Sequence, residues 1–171
     1  FSLNLLNQIT LFQFRFPGTF DIPNFIHLIY PLILIFLMPY IKHLWHKSWV
    51  YACHSDQLPE KGSYFVWDKL KVPIVIVNSG DDKIKAYYNT CRHRGAPVVN
   101  DKSGKARLLV CTYHGWSYDL DGNLINLRDP RDFVDLDKSC QSLIEVSCDR
   151  LGNWIFINLD PDAEPLKDYL G

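Results

Sequence analysis

Two segments, CRHRG at 91–95 and CTYHG at 111–115, constrain this chain more than any other feature of its 171 residues. Each carries one cysteine and one histidine and runs into a glycine. One residue separates Cys91 from His93, two separate Cys111 from His114, and seventeen lie between His93 and Cys111. Thiolate and imidazole both bind borderline-soft metals, so the pattern asks for two short loops that close on one metal centre, with zinc and iron as the candidates. Structural zinc sites usually take each ligand pair from a knuckle or helix with two to five residues between the ligands, and Cys-x-His is tighter than that.

A mixed pair on each loop suits two metals better than one, with each loop giving a thiolate to one iron and an imidazole to the other. That is the Rieske arrangement, a [2Fe-2S] cluster in which two histidines replace two cysteines on one iron and raise the reduction potential. The segments CRHRGAPV and CTYHGWSYDLDG resemble the Rieske signature of the ring-hydroxylating oxygenases, multicomponent enzymes that activate dioxygen at a separate mononuclear iron. The resemblance covers roughly residues 45–171. It implies Cys91 and Cys111 on the buried iron and His93 and His114 on the outer iron. Gly95 and Gly115 are expected to let the backbone approach the cluster where a Cβ would crowd it. It further implies that the edge around the two histidines is a docking surface.

Respiratory Rieske proteins carry a further cysteine in each loop, joined in a disulfide that braces the cluster. The matching positions here are Ala96 and Tyr113, and Trp116 stands where the respiratory type has a serine hydroxyl aimed at the cluster. Fewer polar contacts on the sulfurs leave the more negative reduced cluster less stabilised, so the potential is expected toward the lower part of a range of roughly −150 to +300 mV. Tyr113, Trp116 and Tyr118 are expected to pack around the cluster and exclude water, and Pro97 to stiffen the first loop. Arg92 and Arg94 flank His93 and either steer an acidic reductase or ferredoxin or are ordinary solvated charges. Cys53, Cys140 and Cys148 show no framework spacing and read as free thiols of a reducing compartment. No secretory signal with a small-residue cleavage site is visible, so a cytoplasmic location is expected.

A formal net charge of −1 gives no general attraction to nucleic acid or anionic lipid. From about residue 64 the chain runs through short apolar stretches, YFVW, PIVIVN, IKAYYN, ARLLV, LIEVS and NWIFINL, separated by NSGDDK, DKSGK and DLDGN. β-Branched and aromatic enrichment with such turns predicts an all-β fold, an antiparallel sandwich or small barrel, with both ligand loops at the tips of neighbouring hairpins. The alternating Asp119, Asp121 and Asn123 do not make a calcium loop, because the sixth and twelfth places hold Leu124 and Pro130 where glycine and glutamate are needed. A hairpin turn centred on Asp121-Gly122 is expected instead.

Residues 1–44 differ in kind, being apolar, aromatic and almost uncharged. The stretch 22–41 is long enough for a membrane helix anchored by Lys42 and Lys47, yet Pro31 and Pro39 interrupt it and His27 falls within it. A membrane anchor, a misassigned or frame-shifted start, and a disordered or packing tail are the open readings. The chain thus divides into this segment, a Rieske domain over 45–160 and the start of a linker at 161–171.

Oxygenases of the resembled family need a second iron, Fe(II), on two histidines and a carboxylate. No histidine follows His114, and His43 and His46 ahead of the domain read as surface or membrane-edge residues. The closing DPDAEPLKDYLG resembles that family's exit from its Rieske domain into the catalytic one. The expectation is the electron-transfer part of an oxygenase α-subunit, truncated before the catalytic domain. Its full-length parent would be a homo-oligomeric oxidoreductase fed by a ferredoxin or flavin reductase. A stand-alone Rieske ferredoxin is the alternative, and a zinc-stabilised binding module the third reading. The segment HKSWVYACHSDQLPEKGSYF, similar to the oxygenase lead-in, favours the first.

Replacing Cys91 or Cys111 by serine is expected to abolish the cluster and its visible absorbance, because a hydroxyl is a harder and much less acidic ligand than a thiol. His93→Cys is expected to keep a cluster of sharply lower potential in a redox titration, a result that a zinc site would not give.

Overall fold

The computed structural model describes residue 37 and residues 44–69, 72–128 and 130–171. The chain separates into two units, Phe1–Ile41 and Lys42–Gly171. The apolar stretch 22–41, with the anchor reading attached to it, lies outside the described residues, as does His43. Among the described residues no helix is long and apolar enough to cross a membrane.

The apolar runs fold as antiparallel strands. Strands β1 (Val50–His54), β2 (Ser63–Trp67), β3 (Ile74–Gly80), β4 (Lys83–Tyr88), β5 (Ser103–Lys105), β9 (Glu145–Leu151) and β10 (Trp154–Asn158) form a seven-stranded sheet in the order β1-β10-β9-β4-β3-β2-β5. This sheet curls into a half-barrel. A second sheet joins β6 (Leu109–Val110), β7 (Ser117–Tyr118) and β8 (Leu124–Asn126). The stretches YFVW, PIVIVN, IKAYYN and NWIFINL coincide with β2, β3, β4 and β10. ARLLV gives only two residues to β6, because Ala106 N–H donates to Gly62 O and the preceding Ser103–Lys105, read as a turn, pairs with β2. Strand β1 escapes a local reading, since β10, its partner among the described residues, lies about a hundred residues onward.

Strand β3 is the hinge of the packing. Ile74 and Ile76 enter one core with Trp67, Ala86, Val146, Ile155 and Ile157, while Val75 and Val77 enter another with Tyr87, Leu109, Tyr118 and both loop cysteines. All four β3 side chains are fully buried, and each such burial contributes about 1.5–3 kcal/mol relative to exposure. The second core therefore anchors the ligand loops to the most buried strand of the sheet.

Turns behave as their residues dictate. In DLDGN, Asp119 Oδ1 accepts from the Asp121 and Asn123 backbone N–H groups, and Oδ2 accepts from Asn123 Nδ2. The carboxylate closes a hairpin turn, in line with the sequence reading. Gly122 has φ +81°, and a Cβ there would lie 2.6 Å from the Tyr87 ring. Beyond β10, the Trp49 indole donates to Glu164 O (3.0 Å), and Leu166 of the short helix α1 (Leu166–Leu170) is fully buried, so residues 161–171 dock on the domain.

Gly122→Ala is expected to cost roughly 2–4 kcal/mol, from the left-handed backbone together with the clash against Tyr87. Gly152→Ala, with φ +59° and nothing within 4 Å of the added Cβ, isolates the backbone part at about 1 kcal/mol. Urea unfolding of the two variants separates the contributions.

Candidate metal centre

The two cysteine-histidine segments are built alike. In the first, Cys91 N–H donates to Ala96 O (2.7 Å) and Gly95 N–H to Cys91 O (2.9 Å). In the second, Cys111 N–H donates to Trp116 O and Gly115 N–H to Cys111 O, both at 2.9 Å. Glycine is the fourth residue after cysteine in both, with φ of +75° at Gly95 and +72° at Gly115. Each loop thus reverses through a left-handed residue. A Cβ on Gly95 would meet no protein atom within 4 Å, and one on Gly115 only the Arg128 side chain at 3.8 Å. Among protein atoms the dihedral, not crowding, demands glycine.

The loops are mounted differently. The second is the tip of the β6–β7 hairpin, as the sequence suggests. The first leaves β4 and next enters β5, which is not a ladder neighbour of β4. Buried Asn89 closes it: Oδ1 accepts from Val98 and Val99 N–H (3.0 and 3.1 Å), and Nδ2 donates to Val99 O (2.8 Å). No sequence motif flags Asn89, because its partners are set by the fold of the loop.

All four expected ligand residues come to one place. Cys91 and Cys111 are buried side by side, and the His93 and His114 ring centroids are 4.6 Å apart. Among the described residues no group of three or more Cys, His, Asp or Glu side chains converges as a single-ion site would require. The donors fall instead into a thiol pair and an imidazole pair. Burial pushes the Cys91 thiol up, Cys111 adds to this, and hydrogen bonds from Tyr118 and the His93 backbone oppose it. Burial, then His114 and Arg94, holds the His93 imidazole below its ordinary range. Its Nδ1 is buried and has no hydrogen-bond partner among the described residues.

Tyr118 does more than pack. Its hydroxyl oxygen accepts from Arg92 N–H (3.1 Å) and lies 3.4 Å from Cys91 Sγ. Toward a Cys91 thiolate, which carries no proton, the hydroxyl is the only possible donor of this pair. Trp116 is buried as expected, but Tyr113 is 61% exposed and leans on His114 at the surface. Over the imidazoles lies an open cleft of about 470 Å³, walled by Arg94, Tyr113, Arg128, Asp132 and Phe133. The last three escape sequence reading, because they come from a loop beyond both ligand segments. Cys53, Cys140 and Cys148 are free and take no part in the centre, Cys140 alone among them being exposed.

Three comparisons bear on this geometry. The chain is 30% identical over 129 residues to the oxygenase subunit of carnitine monooxygenase from Escherichia coli (strain K12), covering 75% of this chain and 34% of that protein. It is 34% identical over 132 residues to the alpha subunit of benzene 1,2-dioxygenase from Pseudomonas putida, covering 77% and 29%. Among solved structures it superposes on naphthalene 1,2-dioxygenase from a Rhodococcus species bound to indole with a TM-score of 0.72 and 31% identity, over 76% of this chain and 30% of that one. A quaternary ammonium Rieske monooxygenase in complex with L-carnitine matches with a TM-score of 0.71 and 30% identity, over 76% and 37%. The chain spans about a third of the length of the curated relatives it matches. Residues 48–141, more than half of the chain and including both ligand loops, match the Rieske [2Fe-2S] domain, and the chain belongs to that family.

Proposed function

We propose that this chain passes single electrons through a [2Fe-2S] cluster, with Cys91 and Cys111 on one iron and His93 and His114 on the other. The observation that carries the reading is the buried, unpartnered Nδ1 of His93 beside two buried thiols. An apolar interior does not leave such a lone pair unused without cost, on the order of 1–3 kcal/mol. Ionising the buried Cys91 thiol beside Cys111 is likewise unfavourable unless a cation stands by it. A binuclear cluster asks each iron for only two protein ligands, which suits a donor set arranged in pairs. When bound, the cluster supplies a one-electron couple whose reduced form is the more negative.

The protein's own groups set how that couple works. Tyr118 donates toward Cys91 Sγ and so favours the reduced form. Buried Trp116 keeps that side of the site dry. One phenol thus offsets in part the lowering of the potential expected from the absent serine and disulfide. Arg92 and Arg94 are exposed beside His93, and neither forms an ion pair among the described residues. They suit an acidic docking partner.

The relatives are oxygenase subunits, and the chain is best read as the electron-transfer part of such a subunit. In a full-length parent a mononuclear Fe(II) would receive the electrons, a ferredoxin or flavin reductase would supply them, and the assembly would be a cytoplasmic homo-oligomer.

The chain reconstituted anaerobically with iron and sulfide and reduced with dithionite is expected to give a rhombic electron paramagnetic resonance signal, with an average g below that of all-cysteine clusters. A silent spectrum with zinc in the metal analysis would sink the reading. Tyr118→Phe is expected to lower the midpoint potential by about 40 mV, the equivalent of ~1 kcal/mol for a one-electron couple.

A further inference from the structure

His93 and His114 are not equivalent. The Trp116 indole lies flat on the His93 imidazole, with centroids 4.9 Å apart and planes within 7°. Phe133 meets both rings edge-on, at 5.5 Å and 82° to His93 and at 5.4 Å and 76° to Trp116. His114 is flanked differently: it meets the edge of His93 and, at 3.9 Å and 38°, the ring of Tyr113, which is itself exposed. His93 is also the ring that holds a buried nitrogen without a partner.

That nitrogen creates a specific difficulty. A lone pair turned into the interior forgoes water, while an open cleft lies a ring-flip away. Rotamer preference does not prevent the flip, because the χ2 torsion of histidine is broad and roughly two-fold. The neighbours do prevent it, since turning the ring out of its plane drives it into the indole on its face or the phenyl at its edge. Two distant segments supply those neighbours. Trp116 closes the second ligand loop, and Phe133 follows the turn Pro130–Asp132.

We infer that Trp116 and Phe133 are positioning residues, an aromatic clamp that holds His93 with Nδ1 directed into the centre and keeps water off that side of it. The inference rests on the ligand reading above. It makes His93 the ligand fixed from two sides by core aromatics and leaves His114 beside the exposed Tyr113.

The test uses the 171-residue chain and the variants Trp116→Leu, Trp116→Phe and Phe133→Ala. In cluster-free protein, the His93 ring protons are expected upfield in the nuclear magnetic resonance spectrum, shifted by the stacked indole, and Trp116→Leu is expected to remove that shift. In cluster-loaded protein, chelator-driven bleaching is expected to quicken about tenfold in Trp116→Leu and several-fold in Phe133→Ala. The midpoint potential should move positive in both, because admitted water stabilises the more negative reduced cluster. Trp116→Phe is expected to restore both values, since a phenyl can still stack. Bleaching rate and midpoint unchanged in loaded Trp116→Leu and Phe133→Ala would overturn the clamp, as would a His93 spectrum indifferent to Trp116→Leu. Should Trp116→Leu fail to fold, Phe133→Ala decides, because its ring is only partly buried at the cleft wall. A wild-type chain with no Rieske signal would instead bring down the ligand reading and the clamp with it, an outcome separate from a loaded wild type with unmoved variants.

Discussion

The interaction on which the rest depends is the burial of polar, metal-competent side chains, the Cys91 and Cys111 thiols and the His93 imidazole nitrogen, within the packed domain. Two thiols are buried together, and an imidazole nitrogen beside Trp116 is held away from water with no hydrogen-bond partner among the described residues. Such groups oppose folding by themselves, so the scaffold around them has to be stiff enough to keep them together. That stiffness comes from β3, which is buried on both faces and feeds two cores at once. The core containing Val75 and Val77 also contains Cys91, Cys111, Trp116 and Tyr118, so the ligand loops are continuous with the best-packed part of the molecule.

The loops meet the same demand from their own side. Their hydrogen-bond patterns match, cysteine N–H to the carbonyl five residues on and glycine N–H back to the cysteine carbonyl. Only the histidine differs, second after cysteine in one loop and third in the other. That single step sets the two rings edge to face at 67°, in different surroundings. His93 packs on buried Trp116 and partly buried Phe133, whereas His114 packs on exposed Tyr113, so two similar loops present their rings in unlike surroundings.

The electrostatics follow from the same packing. Burial opposes charge on Cys91, and Tyr118, braced by the Arg92 backbone, supplies a compensating hydrogen bond. Within the centre the fold thus favours a group that brings positive charge to the sulfurs. At its mouth Arg92 and Arg94 stand exposed, in no ion pair among the described residues.

Much of this was legible in the amino-acid sequence. Cysteine and histidine spacing singled out the two loops that match the Rieske family, short β-branched runs between turn residues named the all-β class, and Asp121-Gly122 named a hairpin rather than a calcium loop. These features are local, set by bond geometry and side-chain chemistry over a few residues. What only the tertiary structure decided depends on contacts between distant segments. The pairing of β1 with β10, the closure of the first loop by Asn89, the phenol on Cys91 Sγ and the arrival of Phe133 at His93 all need the chain to be folded before the partners meet. Sequence could place a ligand on each loop, but the orientation of a ring and the dryness of its surroundings are properties of packing in three dimensions.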